Sequence, residues 1–557
     1  MIDFVVGIKN LNSHIFDVEL SVPNSNSWQE FMLPNWIAGS YKIRDFAANI
    51  INISCVNGEV RQIAKNRFLA QSSAVNIVLN YQVYAFDKSV RMAYLDENRA
   101  FFNGNSLFLL PLGYENSNFQ LTIEKSPKWK IATSLEFNNG KYVAKNYTDF
   151  IDSPVEIADF SRVDFEVNKI PHSLVITGKY QSDEKRLIID LTKICEHHHQ
   201  LFDSFPVDKY LFLVLATKND FGGLEHKNST SLICSRNELN NLESTEVSTE
   251  YMNFLSLCSH EYFHTWWIKS LKPKNFINLD LEKENYTNQL WIFEGVTSYY
   301  DDLSLIRTKL ITTNQYLTLF EKTLNRVFGA VGNFKQSLTS ASFNAWTQLY
   351  QAHENTYNSC ANYYTKGALV AFLLDIEILK RTKNKYSLAD IVKKTYANFH
   401  KSGLGDDDFQ HIIEEFTNSG FQEFFDNYIN GTAYLPLKEA FDFVGVKISF
   451  TQEVGADCKF VKNKITQIVS ESCFEKFGFC VGDEILTINN EATNNPQQDF
   501  AKLDDGKIAI VGIIRDGLLI LKEITLKKSI IKNFKLELIN DIDLDIKTNQ
   551  NLWLNGK

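Results

Sequence analysis

The chain has 557 residues, more than one hydrophobic core organises, and about 150 residues per domain predicts three or four domains. It is 44% apolar and 22% charged with no biased tract, the composition of an ordinary soluble globular protein rather than a disordered or fibrous one. A net charge of −10 without any clustered Lys/Arg run excludes a nucleic-acid-binding face.

No window approaches the roughly 18 uninterrupted apolar residues of a membrane-crossing helix, so no membrane span is expected. The eight cysteines are scattered without C-x-x-C pairs, which reads as reduced, buried thiols rather than a disulfide framework or a cysteine zinc site. The opening residues, Met1 to Gly7, lack a basic stretch followed by an apolar core. A cytoplasmic location is therefore the expectation, whereas a trimmed signal would make the protein periplasmic or secreted.

Residues 1–165 read as a β-rich domain. From Val75 to Tyr84 the odd positions are apolar or aromatic and the even ones mostly polar, the alternation of a half-buried strand. Phe119-Gln120-Leu121-Thr122-Ile123 repeats it. Between such runs, Leu33-Pro34-Asn35-Trp36-Ile37-Ala38-Gly39-Ser40-Tyr41 has the chemistry of a tight loop.

The character changes near residue 166. Lys185 to Phe202 has helical apolar spacing at Leu187, Ile188, Leu191, Ile194 and Cys195. His197, His198 and His199 point about 100° apart there and cannot share one ion, so they read as a solvated helix end. Tyr210 to Leu215 is a continuous apolar run, a buried strand. Gly222-Gly223-Leu224-Glu225-His226 follows, then Ser231 to Cys234 as a neighbouring or edge strand. Glycine in a strand lets another backbone come close, although a Gly-Gly turn followed by a solvated Glu is the plain structural alternative.

A helix is expected to open near Ser248-Thr249-Glu250 and to stop before Pro273. It carries His260-Glu261-Tyr262-Phe263-His264. Histidines four apart lie on one helix face, a turn apart, so both imidazoles can reach one ion, and Glu261 beside the first becomes a candidate general base. This is the H-E-x-x-H pattern of zinc metalloproteases. Such a short pattern also arises on structural helices, so the rest of the site decides.

The next helix is expected from about Thr287 through Trp291 to Tyr300. A catalytic zinc takes three protein ligands and keeps a position open. Glu294, in an otherwise apolar and aromatic stretch where an unpaired carboxylate is costly, is the candidate third ligand. Its structural alternative is a first-turn Glu favoured by the helix dipole. Residues 311–436 stay helical, with Tyr364 to Asp375 apolar around most of its circumference and so deeply buried. Residues 440–527 return to strands as a small separate domain. Phe477 to Asn490 is a glycine-punctuated turn feeding a strand, and Asp516-Gly517 is a hairpin signal. Residues 528–557 read as a short strand-like extension ending in Trp553.

Together these segments resemble the glycyl aminopeptidase family of zinc metallopeptidases, peptidase family sixty-one of the gluzincin clan, whose members carry a PDZ domain. The resemblance runs over nearly the whole chain. It includes Pro34-Asn35-Trp36, Gly39-Ser40-Tyr41 and Arg44-Asp45-Phe46, then Asp96-Glu97-Asn98-Arg99 and Phe102-Asn103-Gly104. It continues through Gly222-Gly223-Leu224-Glu225-His226, the H-E-x-x-H with Trp266, Glu282, Asn285 and Tyr286, Leu290-Trp291 and Glu294-Gly295. Thr297, Tyr299-Tyr300 and Tyr364 with Lys366-Gly367 complete it.

The resemblance implies a multidomain α+β protein. A β-rich N-terminal domain (1–165) would precede a thermolysin-like α+β catalytic domain (166–310). A helical domain (311–436), a PDZ-like β domain (440–527) and a C-terminal extension (528–557) would follow. It implies zinc held by His260, His264 and Glu294, hydrolysis by a zinc-activated water with Glu261 as general base, and Tyr364 as oxyanion donor, with the adjacent Tyr363 as its alternative. Glu225, with Gly222 and Gly223, aligns with the exopeptidase segment of the aminopeptidase N family and would bind the substrate's free amine. His226 stands there in place of an Asn and Leu224 in place of a Met.

The expected activity is removal of small N-terminal residues, Gly or Ala, from peptides. The alternatives are an endopeptidase of the same fold and an inactive PDZ-based peptide-binding protein. The expected partners are peptides with a free N-terminus and a peptide ligand of the PDZ-like domain.

Overall fold

The computed structural model describes residues 1–24, 26–125, 127–242 and 247–556. Two compact units emerge, Met1–Asn285 with Tyr396–Leu404, and Tyr286–Thr395 with Gly405–Lys557. No helix among the described residues is long and apolar enough to cross a membrane.

The first unit opens with strands. A seven-stranded sheet includes Ile2–Asn10, Ile15–Pro23 and Asn76–Tyr84 paired side by side, and two four-stranded sheets accompany it. In Asn76–Tyr84 the odd residues Ile77, Leu79, Tyr81 and Val83 are buried, as the alternation requires. Phe4, Phe108 and Phe150 stack in the core beneath. Arg99 and Glu156, on paired strands, form a buried ion pair with Nε–Oε1 at 2.8 Å and Nη2–Oε2 at 2.7 Å, and Thr177 Oγ1 donates to the same carboxylate at 2.8 Å.

A second part of this unit is a five-stranded sheet in the order Ser161–Val167, Ile170–Thr177, Tyr210–Thr217, Ser229–Ser235, Gly222–Glu225. Ser229–Ser235 is thus internal and Gly222–Glu225 the edge. The helix Glu184–Phe202 packs against the helix Thr249–Phe263, which opens on Ser248 with its side chain accepting from the Tyr251 N–H.

One expectation fails in the first of these helices. His198 is not part of a solvated helix end, because it is fully buried and its Nε2 lies 2.8 Å from Ser259 Oγ. Position decides: of three residues about 100° apart, one must face the packed neighbour. The cysteines are free, but Cys55 is only partly buried and Cys480 is exposed.

The second unit is helical around Thr365–Arg381, whose residues from Lys366 to Ile376 are all buried. The expected helix from Thr287 begins instead as a π-turn, Trp291–Gly295, and continues as Val296–Arg307. Gly295 and Gly367 touch backbone to backbone where the turn meets Thr365–Arg381; a Cβ on either would collide with the other.

The chain's last thirty residues are not merely strand-like. After the strand Asn533–Leu538 comes the helix Leu544–Asn555, and Trp553 on it packs its ring among Tyr316, Phe320 and Phe372. A small antiparallel sheet carries Cys458–Val461, Lys464–Ile468, Glu484–Ile488, Ile508–Arg515 and Leu518–Thr525. The last two join through Asp516 and Gly517, both at positive φ, as a hairpin. Asn358 ties this sheet to the helical part: its Nδ2 donates to the Ile468 carbonyl and its Oδ1 accepts from the Ser470 N–H, both at 2.9 Å.

Breaking a buried ion pair leaves one charge without its partner, so Glu156→Ala should cost about 3 kcal/mol. The cost reads out as a lowered denaturant midpoint, and an apolar double replacement of Arg99 and Glu156 should recover most of it.

Candidate metal and peptide site

The helix Thr249–Phe263 ends at Phe263 and His264 caps it, still following the helical turn, with its N–H 3.3 Å from the His260 carbonyl. His260 Nε2 and His264 Nε2 face each other at 3.1 Å. His264 Nδ1 lies 2.8 Å from the Trp267 carbonyl oxygen, so it carries the ring proton and Nε2 is the nitrogen with the lone pair. The residue after that carbonyl, Ile268, has φ +98°, a region a β-branched side chain adopts only at a cost of about 1–3 kcal/mol. Glu294, the expected third ligand, lies buried on the π-turn Trp291–Gly295 of the second unit.

Behind this helix, polar contacts fix its rotation. Tyr262 OH meets His172 Nε2 at 2.9 Å, Ser259 meets His198, and Tyr210 OH donates to the Glu261 carbonyl at 3.3 Å. Burial pushes the His172 imidazole down to about 4 and His198 well below its ordinary value, so both stay neutral hydrogen-bonding props.

Glu261 is buried and its carboxylate lies against the edge strand, so that a Cβ at Gly223 would overlap it. Arg91 Nη2 donates to the Gly223 carbonyl at 3.0 Å. The segment carrying Arg91 is held by Asn103, whose Nδ2 donates to the Val90 carbonyl at 2.8 Å.

Glu225, also buried, rests on the loop that the turn chemistry marks. Gly39 has φ +90°, and a Cβ there would run into the Glu225 carboxylate. The loop is tied down at Asn35 and Trp36. Trp36 Nε1 donates to the Asp280 carbonyl and Asn35 Nδ2 to the Glu282 carbonyl, both at 2.8 Å, while the Glu282 side chain pairs with Arg67. Next to Glu225, His226 Nδ1 lies 3.0 Å from Asp152, which Lys269 also contacts at 3.0 Å. Burial alone would raise the Asp152 carboxyl, but Lys269 and His226 hold it well below the usual carboxylate range. His226 thus braces the edge of the sheet through Asp152.

In the second unit, Tyr364 caps the helix Thr365–Arg381, and its hydroxyl lies 3.0 Å from that of Tyr350. Burial first, then the negative charge of Glu294, pushes the Tyr364 hydroxyl well above its ordinary value and keeps it protonated. Tyr363 is fully buried and stacks on Tyr364 with ring centroids 4.8 Å apart.

Three contributors escape a reading of the sequence: Gly39 as the seat of Glu225, Arg91 on the Gly223 carbonyl, and Tyr350 beside Tyr364. Gly39 lies in a segment whose turn chemistry is legible, but its partner is far along the chain. Arg91 and Tyr350 carry no local signal at all.

Residues 3–159 match the Peptidase M61 N-terminal domain and residues 253–370 match the M61 glycyl aminopeptidase domain. Comparison with curated proteins finds no match. A solved structure described as an aminopeptidase N family protein from Idiomarina loihiensis is 34% identical, with a TM-score of 0.95 over 100% of each chain. An M1 zinc metallopeptidase from Deinococcus radiodurans is 10% identical with a TM-score of 0.49, covering 78% of this chain and 94% of that one. A two-domain M1 zinc metallopeptidase bound to L-arginine gives 10% and 0.45, over 75% and 91%. Both are too remote to bear on the argument. Two domain matches in chain order and a full-length relative at 34% identity lead to one conclusion: the chain belongs to the M61 glycyl aminopeptidase family.

Proposed function

We propose that the protein is a zinc-dependent aminopeptidase that removes small N-terminal residues, glycine and alanine, from peptides. The observation that carries this reading is the pair of imidazoles on one helix face, His260 Nε2 and His264 Nε2 3.1 Å apart, with Glu294 proposed as the third ligand. Zinc fits the donor set. Two nitrogens each about 2.0–2.1 Å from a tetrahedral ion lie about 3.3 Å apart, close to the 3.1 Å seen for the two Nε2 atoms. Zinc supplies a Lewis acid that polarises the scissile carbonyl and makes water acidic enough to attack at neutral pH.

The chain's own residues do the rest. Glu261 takes the proton of the attacking water and hands it to the leaving amine, a general base turned general acid. Tyr364 donates its hydroxyl proton to the oxygen on which negative charge develops, where one donor is worth about 3 kcal/mol. Glu225 pairs with the free α-ammonium and so selects peptide ends. The edge strand Gly222–Glu225 offers its outer backbone to the substrate as an added strand. Residues 440–527 are read as a PDZ-like module, on the glycine-punctuated turn and hairpin they carry. The preference for glycine and alanine rests on the family.

Glu261→Gln should retain its metal, measured by elemental analysis, and lose turnover by about 10³-fold or more, as expected when a positioned proton carrier goes. Turnover that survives in the metal-loaded variant would sink the mechanism. Acetylating the N-terminus of a good substrate should abolish cleavage; undiminished cleavage would mean an endopeptidase in which Glu225 has no amine to hold. Gly39→Ala should move the Glu225 carboxylate and raise KM for free-amine substrates about tenfold while kcat changes less, a loss of ground-state binding.

A further inference from the structure

The Tyr364 ring is fixed more firmly than its hydroxyl. The Tyr364 and Thr365 N–H groups donate to Asn362 Oδ1 at 2.9 and 3.1 Å, and the ring stacks on Tyr363. These contacts do not set the rotation about the C–O bond, which decides where the phenol proton points. Tyr350 addresses that rotation. It sits in the short turn Leu349–Gln351, its N–H donates to the Ala345 carbonyl at 3.1 Å, and its hydroxyl is 3.0 Å from the Tyr364 hydroxyl.

A phenol has one proton to give and two lone pairs to accept with. In a pair at 3.0 Å one hydroxyl donates to the other. If Tyr364 gives its proton to Tyr350, none is left for the substrate oxygen. If Tyr350 donates, the Tyr364 proton is not spent on Tyr350, and accepting a hydrogen bond polarises the Tyr364 hydroxyl into a better donor. Tyr350 is partly exposed, so water can hydrogen-bond to it, and it suits the outer place in such a chain.

We infer that Tyr350 is a positioning residue for Tyr364, donating its own hydroxyl proton to the Tyr364 oxygen so that Tyr364 donates to the oxyanion. No covalent bond changes at Tyr350 and no proton leaves it. The inference rests on the reading of Tyr364 as oxyanion donor. It adds a second phenol to the same relay and predicts that the two are not independent.

The test uses the full-length, metal-loaded protein as wild type, Tyr350→Phe, Tyr364→Phe and the double variant. Two probes are read: hydrolysis of glycine and alanine 4-nitroanilides, and inhibition by a phosphinic pseudodipeptide, whose tetrahedral phosphinate mimics the charged intermediate geometry. Tyr350→Phe keeps the ring and removes the donor. It should lower kcat about tenfold with KM within about twofold, and weaken the phosphinate by the same factor as kcat/KM, a fraction of the loss from removing the oxyanion donor itself. In the Tyr364→Phe background it should cost nothing further in either probe, because its acceptor is gone.

The inference is overturned if Tyr350→Phe, with its metal retained, matches wild type, or if it costs the same factor with and without the Tyr364 hydroxyl. The phosphinate comparison holds even for variants too slow to assay. If Tyr364→Phe itself keeps full kcat, the oxyanion reading falls and this inference falls with it. If Tyr364→Phe is impaired and Tyr350→Phe is not, only the role of Tyr350 falls.

Discussion

His260 Nε2 and His264 Nε2 stand 3.1 Å apart, and much of the first unit's packing serves to hold them there. The His264 ring is held in place by the bond from its Nδ1–H to the Trp267 carbonyl, and the next residue, Ile268, has a positive φ. The helix beneath is pinned by Tyr262 to His172, by Ser259 to His198 and by Tyr210 to its backbone. The strain and the buried imidazoles make sense as parts of a rigid seat for a cation, since a site that had to rearrange would lose the benefit of tight binding.

Around that seat the carboxylates are placed by missing side chains rather than by added ones. Glu261 lies where the Cβ of residue 223 would be, and Glu225 where the Cβ of residue 39 would be. Each contact brings an acidic group against bare backbone. The loop at Gly39 belongs to the β-rich N-terminal strands and is fastened through Asn35 and Trp36 to the segment 280–282. The N-terminal strands therefore contribute directly to where the proposed amine anchor sits.

The parts legible in the sequence are those set by local periodicity. The i, i+4 histidines, the Ser248 cap, the alternation in Asn76–Tyr84 and the Asp516-Gly517 hairpin each follow from spacing of a few residues. The expectation for Glu294 rests on a different ground, the cost of a lone carboxylate in an apolar stretch. The π-turn around it is not legible, because that geometry comes from Gly295 meeting Gly367, some seventy residues on. His198 misled because residue type suggests solvent while its place on the helix dictates burial. The C-terminal helix misled because its stability comes from Trp553 finding an aromatic nest, not from its own pattern.

The edge strand Gly222–Glu225 has a consequence for how the molecule behaves in a crowded solution. A sheet edge left open to receive an extended chain is also a template on which two copies can zip together, the usual origin of strand-mediated aggregation. Here the edge is four residues long and two of them are glycine, so it offers little to grip. Arg91 already occupies the Gly223 carbonyl, interrupting the row of acceptors and setting a positive charge beside it. The edge is thus too brief to nucleate a shared sheet, so the backbone proposed to receive a substrate need not come at the expense of colloidal stability.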